Sequence, residues 1–165
     1  MTLFGEPVLT KNVNDDVFTP DNIADYIVRH FKPKGIVLEP CRGKGAFTRA
    51  LDPNTEWCEI EEGRDFFDYQ KRVDWIVTNP PYSTFNDFLY HSFEIAENIV
   101  FLAPVYKLLK SWEVLMHIKE YGGIVEVIMI PARRCGFNFG FPCGAFHFKR
   151  GYSGLTRIGF WESQL

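Results

Sequence analysis

The sequence has few cysteines and no long apolar segment. Its 165 residues include 4 Cys, none of them in a Cys-x-x-Cys pair. That number is too small for a disulfide-stabilised scaffold, and the spacing is not that of a zinc site. No stretch reaches the ~18 consecutive apolar residues of a membrane-spanning helix, and the first residues lack the basic and then apolar build of a secretory signal. We therefore expect reduced thiols, no bound metal, no membrane contact and a cytoplasmic location.

The chain also carries little net charge, but that charge is unevenly distributed. The formal net charge is −3, with 10 Lys+Arg and 17 Asp+Glu in residues 1–103 against 8 and 4 in residues 104–165. A basic carboxy-terminal part suits a protein that meets a polyanion on one side. Ordinary surface charge is the alternative explanation for an excess of this size.

Short apolar runs alternate with amphipathic segments along most of the chain. The runs predict strands at 35–38, 56–60, 73–78, 99–103, 124–130, 145–149 and 156–161. Helices predicted between most of them imply an α/β fold, a mostly parallel seven-stranded sheet with helices on both faces. The last two runs have no helix between them, which predicts an antiparallel strand near the carboxy terminus. We expect an irregular segment at 1–15 and one domain at 16–165.

A helix is predicted directly after Phe18-Thr19-Pro20. Thr19 is the expected N-cap and Pro20 the first helical residue, with Phe18 packed over Ile23.

The first predicted strand leads into a loop that contains two glycines. Gly43 and Gly45 stand one residue apart at a strand-to-helix turn, which lets the backbone approach a small bound molecule. The loop is neither a GxGxxG fingerprint nor a phosphate P-loop, so a simple tight turn is the alternative. Glu39, at the mouth of the strand, suits a ligand with a positively charged amino group.

Acidic residues also follow the second predicted strand. Glu59 at its end can accept hydrogen bonds from both vicinal hydroxyls of a ribose, and the neighbouring Ile60 can cover one face of a purine. Asp65 can accept from an adenine amino group while the next backbone amide, that of Phe66, donates to the ring. The alternatives are a surface charge for Glu59 and a turn or cap residue for Asp65.

The strongest signal is the segment Asn79-Pro80-Pro81-Tyr82, which directly follows a predicted strand. Two prolines restrict the backbone, so the Asn79 side-chain oxygen and the Pro80 carbonyl can converge on one NH₂ group. An exocyclic amine or an amide nitrogen is a weak nucleophile because its lone pair is delocalised. Holding its hydrogens out of the ring plane localises that pair toward an electrophile. Tyr82 offers a ring on which the planar group can stack.

The order and spacing of these segments resemble those of S-adenosylmethionine-dependent amino-methyltransferases, and most closely the DNA adenine-N6 group with the gamma-type motif order. The resemblance covers roughly residues 16–145. It implies a Rossmann-like class I methyltransferase fold, S-adenosyl-L-methionine as cofactor, and direct methyl transfer to a flipped-out adenine in nucleic acid, with DNA favoured over RNA.

The resemblance also implies a role for each matching residue. The cofactor-binding set is Thr19, Pro20 and Glu39 at the methionine end, Gly43 and Gly45 along the loop, Glu59 at the ribose, Ile60 and Pro81 around the adenine ring, and Asp65 with Phe66 at its edge. The catalytic set that holds the acceptor amine is Asn79, Pro80 and Tyr82. Since Asn79 is not a strong base, the proton is expected to leave after methyl transfer.

In this family an aromatic residue from a late loop often faces the tyrosine across the target base. Phe137, Phe139 and Phe141 are the candidates here, and we favour Phe139. A core-facing strand is the alternative explanation for these alternating phenylalanines.

Basic residues bracket the same loop. Arg133, Arg134 and Lys149 can contact phosphates and position a flipped base, or can be ordinary solvated charges. Restriction-type relatives append a target-recognition domain, whereas a short stretch follows Gly151 here. Specificity is then expected either to come from short loops, a partner chain or a homodimer, or to be weak.

Two other functions fit parts of the pattern. An amide NH₂ suits the same two acceptors, so a protein glutamine-N5 methyltransferase is the nearest rival enzyme. A catalytically inactive, nucleic-acid-binding methyltransferase subunit belongs to another class, although every catalytic position is filled. A generic nucleotide-binding Rossmann domain gives the Asn-Pro-Pro-Tyr segment no task.

Overall fold

The computed structural model describes residues 17–138 and 140–162. Its helices are α1 (Asp21–Phe31), α2 (Ala46–Ala50), α3 (Phe85–Ile95), α4 (Tyr106–Leu109) and α5 (Trp112–Tyr121). Its strands are β1 (Val37–Glu39), β2 (Glu56–Trp57), β3 (Val73–Thr78), β4 (Ala96–Pro104), β5 (Gly122–Ile130), β6 (Cys143–Arg150) and β7 (Arg157–Phe160). The segment expected to be irregular, 1–15, lies outside the described residues.

The seven strands form one sheet in the order β2-β1-β3-β4-β6-β5-β7. β6 runs antiparallel to β4 and β5, and the other neighbours pair in parallel. The predicted fold class is therefore confirmed, including the antiparallel strand near the carboxy terminus. The connection between β5 and β6, residues 131–142, contains a 3₁₀ turn (Ala132–Cys135) but no α-helix among its described residues, and antiparallel neighbours need no helical crossover.

Two apolar cores lie on opposite faces of the sheet. On one face, α1 and α2 contribute Ile23, Ile27 and Phe47 to a core that includes Val77 and Val100. On the other face, α3 and α5 pack on side chains such as Ile76, Ile99 and Phe101. Burial on both faces accounts for the continuous apolar run in β4.

The start of α1 differs from the prediction. Pro20, not Thr19, occupies the N-cap position, and its carbonyl accepts hydrogen bonds from the amides of Ile23 and Ala24 at 3.0 and 3.1 Å. The prediction that Thr19 caps this helix was wrong, because the extended backbone of Pro20 places one more residue outside the helix. The Thr19 hydroxyl is thereby available for a contact at the pocket described below.

The segment between β4 and β5, whose apolar residues at 108, 109, 112, 115 and 116 have the spacing of one amphipathic helix, forms two helices. α4 ends at Leu109, and Ser111 caps α5 by accepting a hydrogen bond from the Val114 amide. A serine that can cap a new helix start competes with continuation of the helix. The break turns α4 into a separate short element beside the end of β4.

None of the helices among the described residues has the length and apolarity to cross a membrane. All four cysteines are free thiols.

Candidate functional site

A pocket lies where the chain leaves the carboxyl ends of β1, β2 and β3. The sheet order reverses at this place, since β2 lies on one side of β1 and β3 on the other. Open α/β sheets bind their ligands at such a switch point. The depression has a cavity volume of about 140 Å³.

The pocket brings together half of the residues that the sequence singles out. Those that line it are Thr19, Glu39, Gly43, Glu59, Asn79, Pro80, Pro81 and Tyr82. Those that do not are Pro20, Gly45, Ile60, Asp65, Phe66, Arg133, Arg134 and Lys149. Phe139 lies outside the described residues.

The glycine loop forms one wall of the pocket. Gly43 and Gly45 both have positive φ, 50° and 80°, and a Cβ on Gly43 would lie 3.1 Å from the ring of Phe18. A side chain at Gly43 is excluded by both effects. The Gly43 amide donates to Oε2 of Glu59 at 2.7 Å, which ties the loop to the end of the second strand.

Glu39 lines the same pocket and has a buried carboxyl group. It is 1% exposed, and its Oε2 has no hydrogen-bond partner among the described residues. Burial raises the pKa of Glu39 to about 8, although Thr48 and the guanidinium groups of Arg42 and Arg49 act in the opposite direction. A buried carboxyl of this kind suits a cationic ligand group that pairs with its ionised form.

Glu59 stands at the opposite wall. Besides the Gly43 amide, it accepts a hydrogen bond from the Glu61 amide at 3.2 Å through its other oxygen. Each carboxylate oxygen retains further acceptor capacity, so both remain available to a pair of ligand hydroxyls.

Glu59→Ala is expected to weaken binding of the cofactor that the sequence predicts by roughly tenfold to a hundredfold, because one hydrogen bond to a charged group is worth about 1.5–3 kcal/mol. Isothermal titration calorimetry measures the effect. Glu61→Ala is the control, since its side chain lines the rim and only its backbone contacts Glu59. Unchanged affinity in the Glu59 variant would remove this residue from the cofactor site.

Asn79 is oriented by the segment that precedes α1. Its Nδ2 donates to the Thr19 hydroxyl at 3.1 Å, so its Oδ1 is the free end of the amide. That oxygen is shielded from water and has no hydrogen-bond partner among the described residues. A buried acceptor without a donor is costly, and here it lies at the edge of the pocket, where a ligand NH₂ group can satisfy it.

Thr19→Val should leave the Asn79 side chain free to rotate while keeping the space beside it filled. The valine keeps the volume of threonine but cannot accept the Asn79 hydrogen bond, so the amide can rotate. We expect kcat to fall about tenfold, the cost of one neutral hydrogen bond, with the cofactor dissociation constant changed less. Thr19→Ser restores the hydroxyl and should restore kcat. Equal losses in both variants would assign Thr19 a packing role only.

Tyr82 is held on two sides. Its carbonyl accepts from Nζ of Lys107 at 2.7 Å, and its ring stacks on Phe137 with centroids 5.3 Å apart at 28°. Phe137 is 1% exposed, so this phenylalanine belongs to the core and to the site at once. Among the described residues it is Phe137 that meets the tyrosine, whereas the sequence favoured Phe139.

Asp65 and Phe66, which were predicted to contact the adenine edge, have side chains with different surroundings: Asp65 caps a turn, and Phe66 is buried. Oδ1 of Asp65 accepts from the Phe67 amide at 2.9 Å and caps a short 3₁₀ turn, as its alternative reading required. The Phe66 side chain is buried against Phe88, which leaves its backbone as the group that can serve a ligand. Ile60 is 70% exposed next to Glu59.

The structure separates the basic residues that were predicted to act together. Lys149 pairs with Asn98 and Gly123 at the amino ends of β4 and β5, the opposite end of the sheet from the pocket. Lys149 is therefore not a residue of this site, because antiparallel β6 carries its last residues away from it. Arg133 is exposed on the 3₁₀ turn after β5, and the guanidinium of Arg134 lies 5.3 Å from the Trp161 ring.

Two residues of the site were not predicted to lie there: Phe18 was expected to pack over Ile23, and Lys107 was assigned no role. Phe18 lines the pocket, and its ring lies 4.3 Å from Nζ of Lys44. Lys107 reaches Tyr82 from α4. Both placements follow from tertiary contacts, although Phe18 stands directly before Thr19-Pro20 and Lys107 lies on the short helix α4 that follows β4. In the part of the chain that the structure describes, no three His, Cys, Asp or Glu side chains form a metal-binding group.

No protein-family model matches the chain, and no curated protein matches it. Solved structures do resemble it. A Listeria monocytogenes protein assigned to the class I S-adenosylmethionine-dependent methyltransferases has a TM-score of 0.68 and 14% identity, over 92% of this chain and 68% of that protein. The M protein of the type I restriction enzyme EcoKI has a TM-score of 0.64 and 12% identity, over 84% of this chain and 45% of that protein.

A third similar structure is the magnesium protoporphyrin IX methyltransferase of Synechocystis, solved with bound S-adenosylmethionine. Its TM-score is 0.55 at 13% identity, over 79% of this chain and 77% of that enzyme. The chain spans less than half of the EcoKI M protein. These likenesses and the sheet order together show that the chain has the Rossmann-like fold of the class I methyltransferases.

Proposed function

We propose that this protein is an S-adenosylmethionine-dependent methyltransferase that methylates N6 of adenine in nucleic acid, with DNA favoured over RNA. The observation that carries the proposal is the shielded, unpartnered Oδ1 of Asn79 at the end of β3, beside the pocket lined by Glu39, Gly43 and Glu59. The fold supports it, and so does the likeness to the M protein of a type I restriction enzyme.

The pocket residues fit the cofactor. The Glu39 carboxyl suits the ammonium of its methionine end, and Gly43 leaves space that a Cβ would fill. Glu59 accepts from the ribose hydroxyls, while exposed Ile60 and Pro81 can cover the two faces of the adenine. When bound, the cofactor supplies an electrophilic methyl group. Everything else is done by the protein's own residues.

Asn79 and Pro80 position the acceptor nitrogen. The Asn79 oxygen and the Pro80 carbonyl accept the two hydrogens of the amine, which directs its lone pair out of the ring plane. The contact with Thr19 fixes which end of the amide faces the amine. Because the site offers no strong base at Asn79, the proton leaves from nitrogen to water once the methyl group has been transferred.

The target base has to enter beside Tyr82. Its ring contacts Phe137 at a centroid distance of 5.3 Å, which is a direct stacking distance. An adenine that stacks on the same face of the Tyr82 ring therefore displaces Phe137. A flipped or unpaired base can do so, because its face is not covered by neighbours.

Specificity for a sequence requires more contacts than the pocket provides. One similar solved structure comes from a study of complex assembly in a type I restriction-modification system. It matches 92% of this chain at a TM-score of 0.64, and the match covers 45% of that protein. We propose that a partner chain, or a second copy of this one, contributes to target selection.

The test is incubation with isotopically labelled cofactor and with single-stranded DNA, duplex DNA, RNA and glutamine-containing peptides in parallel. Digestion and mass spectrometry identify the product. N6-methyladenine in DNA supports the proposal. Label in a peptide glutamine would make the protein a glutamine-N5 methyltransferase, and cofactor binding without any product would make it an inactive subunit. The absence of N6-methyladenine from every nucleic acid overturns the proposal.

A further inference from the structure

An exposed aromatic and basic surface adjoins the pocket. It consists of Tyr106, Leu109, Lys110, Trp112 and Phe141, which we call the α4 surface. Leu109 is 58% exposed and Trp112 is 76% exposed, while Tyr106 and Phe141 are 39% and 43% exposed. The rings of Tyr106 and Phe141 meet edge to face at 4.9 Å. Large apolar side chains grouped in this way on a protein surface indicate an interaction site.

The α4 surface is continuous with the site of the proposed reaction. A groove of about 290 Å³ is lined both by Tyr82 and by Lys107 and Lys110 of α4 and its C-cap. Lys107 is hydrogen-bonded to the Tyr82 carbonyl. Phe141 belongs to the same loop as Phe137, which stacks on Tyr82. A strand whose target base is at Tyr82 therefore passes the α4 surface.

The charge and the ring geometry of this surface favour a polyanion with exposed bases. Two lysines and several hydroxyl and amide side chains line the groove, against one carboxylate, Asp87. Nζ of Lys110 lies 5.6 Å from the Tyr106 ring, so a cation and an aromatic face are presented together. Glu113 is the other acidic side chain next to this surface, and it is exposed on α5.

We propose that the α4 surface binds unpaired nucleotides flanking the target adenine, so that the preferred substrate is single-stranded or locally opened DNA. The inference rests on the proposed function and specifies its substrate class. Bases next to the target stack on Trp112 and on the Tyr106–Phe141 pair, and Lys110 contacts the phosphates. A closed duplex offers phosphates to Lys110 but keeps its base faces covered, so it gains nothing from the aromatic rings.

Fluorescence anisotropy of the full chain without cofactor tests the inference. The probes are a short labelled strand of thymines with one central adenine, and the same strand annealed to its complement. Trp112→Ala should weaken single-strand binding by about 5- to 100-fold, the range expected for a lost stacking contact, and leave duplex binding nearly unchanged. Trp112→Phe should retain most of the affinity.

Matched variants separate stacking from charge and from general apolar effects. Lys110→Ala should weaken binding of both probes and reduce the salt slope for the single strand by about 0.7. Phe160→Ala is the control, because this 71% exposed aromatic residue lies on the edge strand β7, away from α4. Its binding should equal that of the unmodified protein.

Three results overturn the inference: equal affinity for strand and duplex, no effect of Trp112→Ala, or conversion of an oligomer to a monomer by Trp112→Ala in sedimentation. The last would make the surface an interface between copies. Binding is measured without methyl transfer. Loss of the Trp112 effect therefore counts against this inference alone, and intact strand binding without methylation counts against the proposed function alone.

Discussion

Asn79→Ala is expected to reduce turnover by about a hundredfold to a thousandfold, the range found when a single positioned hydrogen-bonding group is removed from a transition state. The variant loses an oxygen that is shielded from water, lies at the pocket edge and has no hydrogen-bond partner among the described residues. Cofactor affinity should change little, because the proposed function assigns the methionine end and the ribose to Glu39 and Glu59 rather than to Asn79. Single-turnover methylation and calorimetric titration of the cofactor separate the two effects.

Asn22→Ala is the matched control for this experiment. Asn22 is an exposed residue of α1, so the same chemical change occurs on the neighbouring helix without touching the pocket. Its turnover should equal that of the unmodified protein. A large loss of cofactor affinity in the Asn79 variant with turnover preserved at saturating cofactor would place Asn79 at the cofactor and contradict the proposed mechanism.

Glu39→Gln is expected to weaken cofactor binding by about thirtyfold or more, since removing one partner of a buried charge pair costs about 2–5 kcal/mol. The side chain is 1% exposed, and among the described residues Oε2 has no hydrogen-bond partner, so a cationic ligand group is proposed to pair with it. Glutamine keeps the shape of the side chain and removes its negative charge. Titration calorimetry at neutral pH measures the loss.

Cofactor affinity should also depend on pH, and the pKa of Glu39 gives the direction of the change. Because the pKa of Glu39 is raised to about 8 by burial, the carboxyl is protonated in the free protein at neutral pH. Pairing with an ammonium favours the ionised form, so binding releases a proton, and affinity rises with pH up to about 8. Proton release is measured by titration in buffers of different ionisation enthalpy. The Glu39→Gln variant should release no proton and should lose the pH dependence.

The same pKa shift affects folding without ligand. A carboxyl whose folded-state pKa lies above its ordinary value of 4.5 stabilises the fold fully at low pH, and that contribution is lost as the pH rises toward about 8. Glu39→Gln should therefore flatten the decline of the unfolding free energy over this range. Equal cofactor affinity in the variant and the unmodified protein at neutral pH would contradict the assignment of Glu39.

Local patterns in the sequence predicted the central strands well, because β3 and β4 are largely buried and stand out as apolar runs. β3 was predicted with its observed bounds, and β4 and β5 within three residues at each end. The second strand was predicted too long, since the Glu59 side chain caps a 3₁₀ turn there. Capping of this kind depends on the direction of one carboxylate side chain. A hydrophobic pattern carries no information about that direction.

The site residues nearest in sequence to strand ends were also predictable. Parallel strands place their carboxyl ends at one edge, so Glu39, Glu59 and Asn79 had to lie close together once the sheet order was known. The direction of the strands also explains why the prediction that Lys149 lies at the site was wrong. It stands on β6, whose reversed direction carries it to the other end of the sheet.

The amino-acid sequence by itself determined the alternating α/β architecture and the presence of an Asn-Pro-Pro-Tyr segment after a buried strand, because both depend on residues that are close along the chain. Three features arise only when the chain folds: the contact of Thr19 with Asn79, the stacking of Phe137 on Tyr82, and the burial of Glu39, whose Oε2 has no hydrogen-bond partner among the described residues. These contacts join side chains tens of residues apart, and their geometry is set by how the two helical layers pack on the sheet.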